Sequence, residues 1–118
     1  MLPNPVPEID VHVLHGKLQS PDAFILLDVR EMNELALVRL HDPRLIILPL
    51  SVISREREAA LPEPIKDRAA EIYVICHHGV RSADVTRWLR KQGWSNVHSV
   101  RGGIDAYAAQ IDRSVGFY

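Results

Sequence analysis

Seven consecutive residues, Cys76-His77-His78-Gly79-Val80-Arg81-Ser82, put a thiol, two imidazoles, a guanidinium and a hydroxyl into one short stretch. The apolar run Ile72-Tyr73-Val74-Ile75 precedes them, and a helical pattern follows. A cysteine at the first position of a short loop between a buried strand and a helix start can meet several converging backbone N–H groups, with the helix dipole adding positive character. Gly79 permits the positive φ that such a curl needs. Arg81 adds a permanent cation, so the thiol is expected to be largely thiolate at neutral pH. That is the chemistry of an activated nucleophile in an anion cradle. A lone cysteine at the end of a buried strand is more commonly an inert core residue. An inert one has no need of Gly-x-Arg-Ser opening a helix three residues later, and the combination favours the nucleophile.

A second constellation ends another apolar run: Phe24-Ile25-Leu26-Leu27 leads into Asp28-Val29-Arg30-Glu31. Asp28 has two readings, an acceptor for the active loop or a helix N-cap, and Arg30 is either an anchor at the sheet end or a solvated or salt-bridged cation. Glu31 and Glu34, in an early helical turn, suit the helix dipole better than acid catalysis. Adjacent His77 and His78 invite a metal. Structural zinc generally needs four ligands, and His12, His15, His41 and His98 show no Cys/His pairing at finger spacing, so no metal is expected. Arg87, Arg90 and Lys91 form a solvated helix face.

The elements that position these groups follow from periodicity. Five short apolar runs, 9–11, 24–29, 45–50, 72–76 and 97–100, are predicted strands. The last four are nearly uninterrupted or β-branched, as in strands covered on both faces of a parallel sheet. Helices are predicted over 12–19, 31–40, 55–61 and 104–111. A further helix follows Gly79, with Val85, Trp88, Leu89 and Gln92 on one face and Gly93 as a stop. The alternation implies an α/β fold: an open, doubly wound, mostly parallel five-stranded sheet with helices on both faces. Residues 1–7, with prolines at 3, 5 and 7, read as an extended leader, and residues 8–118 as a single domain.

Composition narrows the partners. Fourteen basic against fifteen acidic residues give a net charge of -1, so no global positive field exists to hold a phosphate backbone and no nucleic acid is expected. No apolar run approaches the ~20 residues of a membrane span, and the N-terminus has no basic head or signal-length apolar stretch. No membrane partner is expected. The single cysteine suits a reducing, cytoplasmic location.

Three motifs together resemble the single-domain rhodaneses, sulfurtransferases that carry sulfur as a cysteine persulfide. They are Leu27-Asp28-Val29-Arg30-Glu31, Cys76-x-x-Gly79-x-Arg81-Ser82 and Val100-Arg101-Gly102-Gly103-Ile104, in the family's order and spanning roughly residues 8 to 112. The resemblance implies the rhodanese fold, Cys76 as the persulfide-forming nucleophile, and the amides of His77, His78, Gly79, Val80, Arg81 and Ser82 as the cradle for the transferred sulfur. It also implies a small anionic donor such as thiosulfate, a thiophilic acceptor or a sulfur-relay protein, and no cofactor. Two positions depart from the family: Leu40-His41-Asp42-Pro43-Arg44-Leu45 stands where a Gly-His-Ile type turn is usual, and Tyr107 stands where the aromatic is commonly Trp. Phosphatases of similar fold resemble Cys followed by five residues and Arg; here four residues separate Cys76 from Arg81, too short a loop for a phosphoryl group. Non-catalytic modules of the family commonly lack the cysteine. The tail from 111 to 118 carries no motif, and packing back on the domain is its expected role.

Overall fold

The computed structural model describes residues 6–118; the predicted leader lies mostly outside the described residues. Five strands, β1 (Glu8–Ile9), β2 (Ile25–Asp28), β3 (Leu45–Ile47), β4 (Ile72–Ile75) and β5 (Val97–Val100), form one sheet in the order β1-β5-β4-β2-β3. Every pairing is parallel, with Leu27 opposite Val74, Ile72 opposite Val97 and Ile9 opposite Val100. β4, which delivers the cysteine, is central and buried along its whole length.

Period-two alternation gives each strand two apolar faces. Leu27, Val29, Ile72 and Val74 pack against α3 (Leu50–Glu56) and α4 (Val80–Lys91) through Ile53, Val85 and Leu89. Leu26, Tyr73 and Ile75 pack on the other face against α1 (Val11–Leu18) and α5 (Gly103–Gln110) through Val11, Leu14, Ile104 and Tyr107. The sheet is thus sandwiched as the apolar runs require.

Several boundaries differ from the sequence expectation. Strand β1 ends at Ile9 because Asp10 caps α1, its carboxylate accepting from the amides of His12 and Val13. The strand predicted over 45–50 stops at Ile47: Pro49, with φ −58°, is the N-cap of α3, so the helix begins at Leu50 rather than 55. It breaks at Arg57, which has φ +55°, and continues as a 3-10 turn over Arg57–Ala60. The helix predicted over 31–40 is the single turn α2 (Met32–Leu35). The Val38 carbonyl is instead taken by Arg30, and Val38 and Leu40 are buried under the sheet. In the atypical 40–45 turn, Asp42 pairs with Arg44, whose guanidinium also binds the carbonyls of Leu18, Ser20 and Asp22.

Candidate active site

Cys76 stands at the carboxyl end of β4 and is 1% exposed. Gly79, with φ +101°, turns the loop back into α4, and a side chain there would crowd the Gly102 amide at 3.1 Å. The curl brings the amides of Gly79 and Ser82 to 3.1 and 3.3 Å from Cys76 Sγ, both as donors. The thiol donates to Ser82 Oγ at 3.4 Å, and that hydroxyl shares a hydrogen bond of 2.8 Å with Ser99 Oγ on β5. The sulfur therefore sits at the start of a twelve-residue helix, ringed by positive ends of N–H dipoles and backed by a buried hydroxyl pair.

The loop is clamped from α5. The amides of Ile104 and Asp105 donate to the carbonyls of Cys76 (2.9 Å) and His77 (3.1 Å). So close an approach is possible only because Gly103 lacks a side chain: a Cβ there would lie 2.4 Å from both carbonyl oxygens.

Arg81, the loop's permanent cation, is paired with a carboxylate that the sequence had assigned to a helix dipole. Its guanidinium is ion-paired with Glu34, at 2.6 and 2.8 Å, so much of its field at the sulfur is offset. Glu34 also accepts from the Glu31 amide (2.8 Å) and from the Tyr118 hydroxyl (3.0 Å). The Arg81 guanidinium, against a smaller opposing effect of burial, holds the Glu34 carboxyl down at about 2 from an ordinary 4.5. A group depressed on folding stabilises above its unfolded pKa and loses that contribution as pH falls through the folded one. Glu34→Gln is therefore expected to lower stability by ~2–3 kcal/mol at pH 6, and the gap from wild type should close between pH 4.5 and about 2. Urea midpoints measured across that range check it; a gap independent of pH would refute the assignment.

Asp28 neither caps a helix nor bonds the loop. Glu31 is the N-cap of α2, and Asp28 instead forms a buried bidentate pair with Arg30 at 3.0 and 2.8 Å. Arg30 is fully buried, not solvated, and ties the end of β2 to the Val38 carbonyl and the Tyr118 hydroxyl. A buried pair of this kind is costly to break on one side only, because the other charge is left unpaired.

His77, His78 and Asp105 form a cluster whose ligating atoms lie within 4.8 Å. The two imidazoles are stacked at 3.8 Å and 29°, so their in-plane lone pairs run side by side instead of meeting at the ~2.1 Å that zinc requires. Burial, and then the adjacent His78, hold the His77 imidazole below its ordinary pKa. Val80 at the loop's outer edge is exposed, and Ser82 is buried. A groove of about 630 Å³ lies along residues 35–42, Tyr107 and Ser114 and includes none of residues 76–82. Sequence reading missed Ser99 and gave Glu34 and Gly103 no part in the loop. Glu34 had a local signal, three residues after Glu31 as in a capping box, but its partner Arg81 is 47 residues away.

A family model described as rhodanese-like domain matches residues 10–110. The chain is 37% identical over 97% of its length to the chloroplastic rhodanese-like/PpiC domain-containing protein 12 of Arabidopsis thaliana, of which it spans 38%. It is 35% identical over 87% of its length to a protein named sulfurtransferase from Allochromatium vinosum, of which it spans 89%. Among solved structures, a rhodanese-related protein from Thermoplasma volcanium superposes with a TM-score of 0.67 at 30% identity, covering 95% of each chain.

Proposed function

The chain belongs to the rhodanese-like domain family, and from that premise we propose that it is a sulfurtransferase carrying sulfane sulfur as a Cys76 persulfide. The observation that supports this best is a solitary thiol accepting two loop amides at the start of α4. In the first half-reaction the Cys76 thiolate attacks the outer sulfur of thiosulfate or of a persulfide. A new S–S bond forms, the donor's own bond to that sulfur breaks, and sulfite or the donor thiolate leaves with the bonding pair. In the second, a thiophilic acceptor such as cyanide or a thiol attacks the outer sulfur, and the pair returns to Cys76. The cradle of amides from His77 to Ser82 holds the anionic persulfide between the two steps, and two half-reactions imply ping-pong kinetics. Asp28 and Arg30 support the sheet end beside the loop. No cofactor or metal enters either step, and a reducing compartment such as the cytoplasm suits the free thiol. Among the described residues no helix is long and apolar enough to cross a membrane.

A second reading, protein-to-protein sulfur relay, is favoured by a Bacillus subtilis relative, 31% identical over 91% of this chain, that is named a putative sulfur carrier protein.

Treatment with thiosulfate should add one sulfur atom per chain, on Cys76, which cyanide removes as thiocyanate; intact-mass and peptide analysis check both. Aryl phosphates should not be hydrolysed, given the four-residue spacing from Cys76 to Arg81. No added sulfur, or phosphatase turnover above sulfur transfer, would refute the reading. Comparing small thiols with persulfide-accepting proteins as acceptors separates enzyme from relay.

A further inference from the structure

We infer that Tyr118 is a positioning residue of the Cys76 loop, acting through His77 at the loop's start and through Glu34 and Arg81 at its end. The tail that the sequence left without a role returns to the site by way of a 3-10 turn at Arg113–Val115, capped by Asp112, and a turn at Gly116 with φ +98°. It sets the Tyr118 ring flat on the His77 imidazole, at 3.8 Å between centroids and 9° between planes. His78 covers the opposite face of the same ring, also at 3.8 Å.

Among the described residues His77 Nε2 is buried without a hydrogen-bond partner, so stacking, not a polar contact at that nitrogen, fixes the ring. His77 is bonded directly to Cys76, and its carbonyl is one of the two that α5 clamps. The loop start is thus held from two sides, by the α5 amides on its backbone and by Tyr118 on its side chain. The Tyr118 hydroxyl works on the other end. It accepts from Arg30 at 3.2 Å and donates to Glu34 at 3.0 Å, the carboxylate that grips Arg81. Arg81 precedes Ser82, whose amide and hydroxyl both meet the sulfur. One side chain therefore bears on both ends of the segment that aims donors at Sγ, while no hydrogen bond links it to the reacting atom itself.

The kinetic arm of the test rests on the sulfur-transfer reading; the spectroscopic arm does not. Tyr118 is 37% exposed, which favours folding of its variants, and Tyr118→Phe keeps the ring in any case. Tyr118→Leu should lower kcat for sulfur transfer about tenfold with KM changed less than about twofold, a fraction of the ~10² that a 1 Å misplacement costs. Tyr118→Phe, which keeps the stack, should stay within about threefold of wild type. In NMR spectra of the sulfur-free protein, Tyr118→Leu should abolish the ring-current shift of the His77 imidazole protons and move the Gly79 and Ser82 amide resonances. Unmoved amides or a Leu variant with wild-type kcat would each overturn the inference, and a Phe variant as slow as Leu would overturn the part assigned to the His77 stack. A wild type that loads no sulfur would overturn the sulfurtransferase reading instead, and the amide shifts would still decide the role of Tyr118.

Discussion

Cys76→Ser is expected to reduce sulfur transfer to background, about 10⁴-fold or more below wild type, while leaving the fold intact. The serine hydroxyl is close in shape to the thiol and can accept from the same Gly79 and Ser82 amides and reach the same Ser82 hydroxyl. Structure around the site should therefore survive. The chemistry should not, because serine is not ionised at neutral pH and would need an adjacent general base to become a nucleophile. None is hydrogen-bonded to the sulfur: its partners are two amides and a hydroxyl already engaged with Ser99. No second thiol exists in the chain to take over. Turnover assays with thermal unfolding of both proteins check the pair of expectations, and a serine variant within tenfold of wild type would place the nucleophile elsewhere.

Gly103→Ala should be nearly as damaging by a different route. The added Cβ would lie 2.4 Å from the carbonyl oxygens of Cys76 and His77 and 2.6 Å from the His77 carbonyl carbon. These are backbone atoms of the active loop, which cannot swing aside as a side-chain end would. The residue also holds φ +62°, a conformation costing an L side chain ~1–2 kcal/mol before any clash. Relief requires pulling α5 off the loop, with loss or weakening of the bonds from Ile104 and Asp105. The expected loss is ~3 kcal/mol or more of stability, with sulfur transfer down by about 10²-fold as the loop is displaced. Gly16→Ala is the natural control: it lies inside α1 with nothing within 4 Å of a new Cβ, and should stabilise by ~0.5–1 kcal/mol. Urea unfolding of both variants, with sulfur loading under native conditions, separates the two; a Gly103→Ala protein of wild-type stability and activity would contradict the proposed clamp.

What the sequence by itself determined is whatever depends on near neighbours in the chain. Uninterrupted apolar runs marked the three inner strands, β2, β4 and β5, to within one residue at each end, and their character implied a sheet covered on both faces, because alternate residues must each find a core. The same local logic described the candidate site: a buried run ending in Cys76, then Gly79 able to take a left-handed turn, then a helix start, gives a curl of amides around a thiol with no knowledge of the rest of the fold. Local logic also failed locally in places, as when Pro49 was read as the tail of a strand and not as the start of α3, and when Asp10 was placed inside β1 rather than at a cap. In both, propensity favoured two adjacent states about equally, and the pairing available at the sheet edge chose between them.

Only the tertiary structure decided how charges and clamps are partnered. Parallel strands joined by crossovers bring β2 and β4 side by side, so the segments following them meet at one end of the sheet. That placed Glu34 against Arg81 across 47 residues and brought Tyr118 to Arg30 across 88. It also pressed the start of α5 onto the loop tightly enough to require Gly103. An ion pair, a stack or a close backbone approach leaves no periodic trace in a chain. Each is set by which elements the topology makes neighbours, and that juxtaposition is a property of the assembled sheet, not of any local window of sequence.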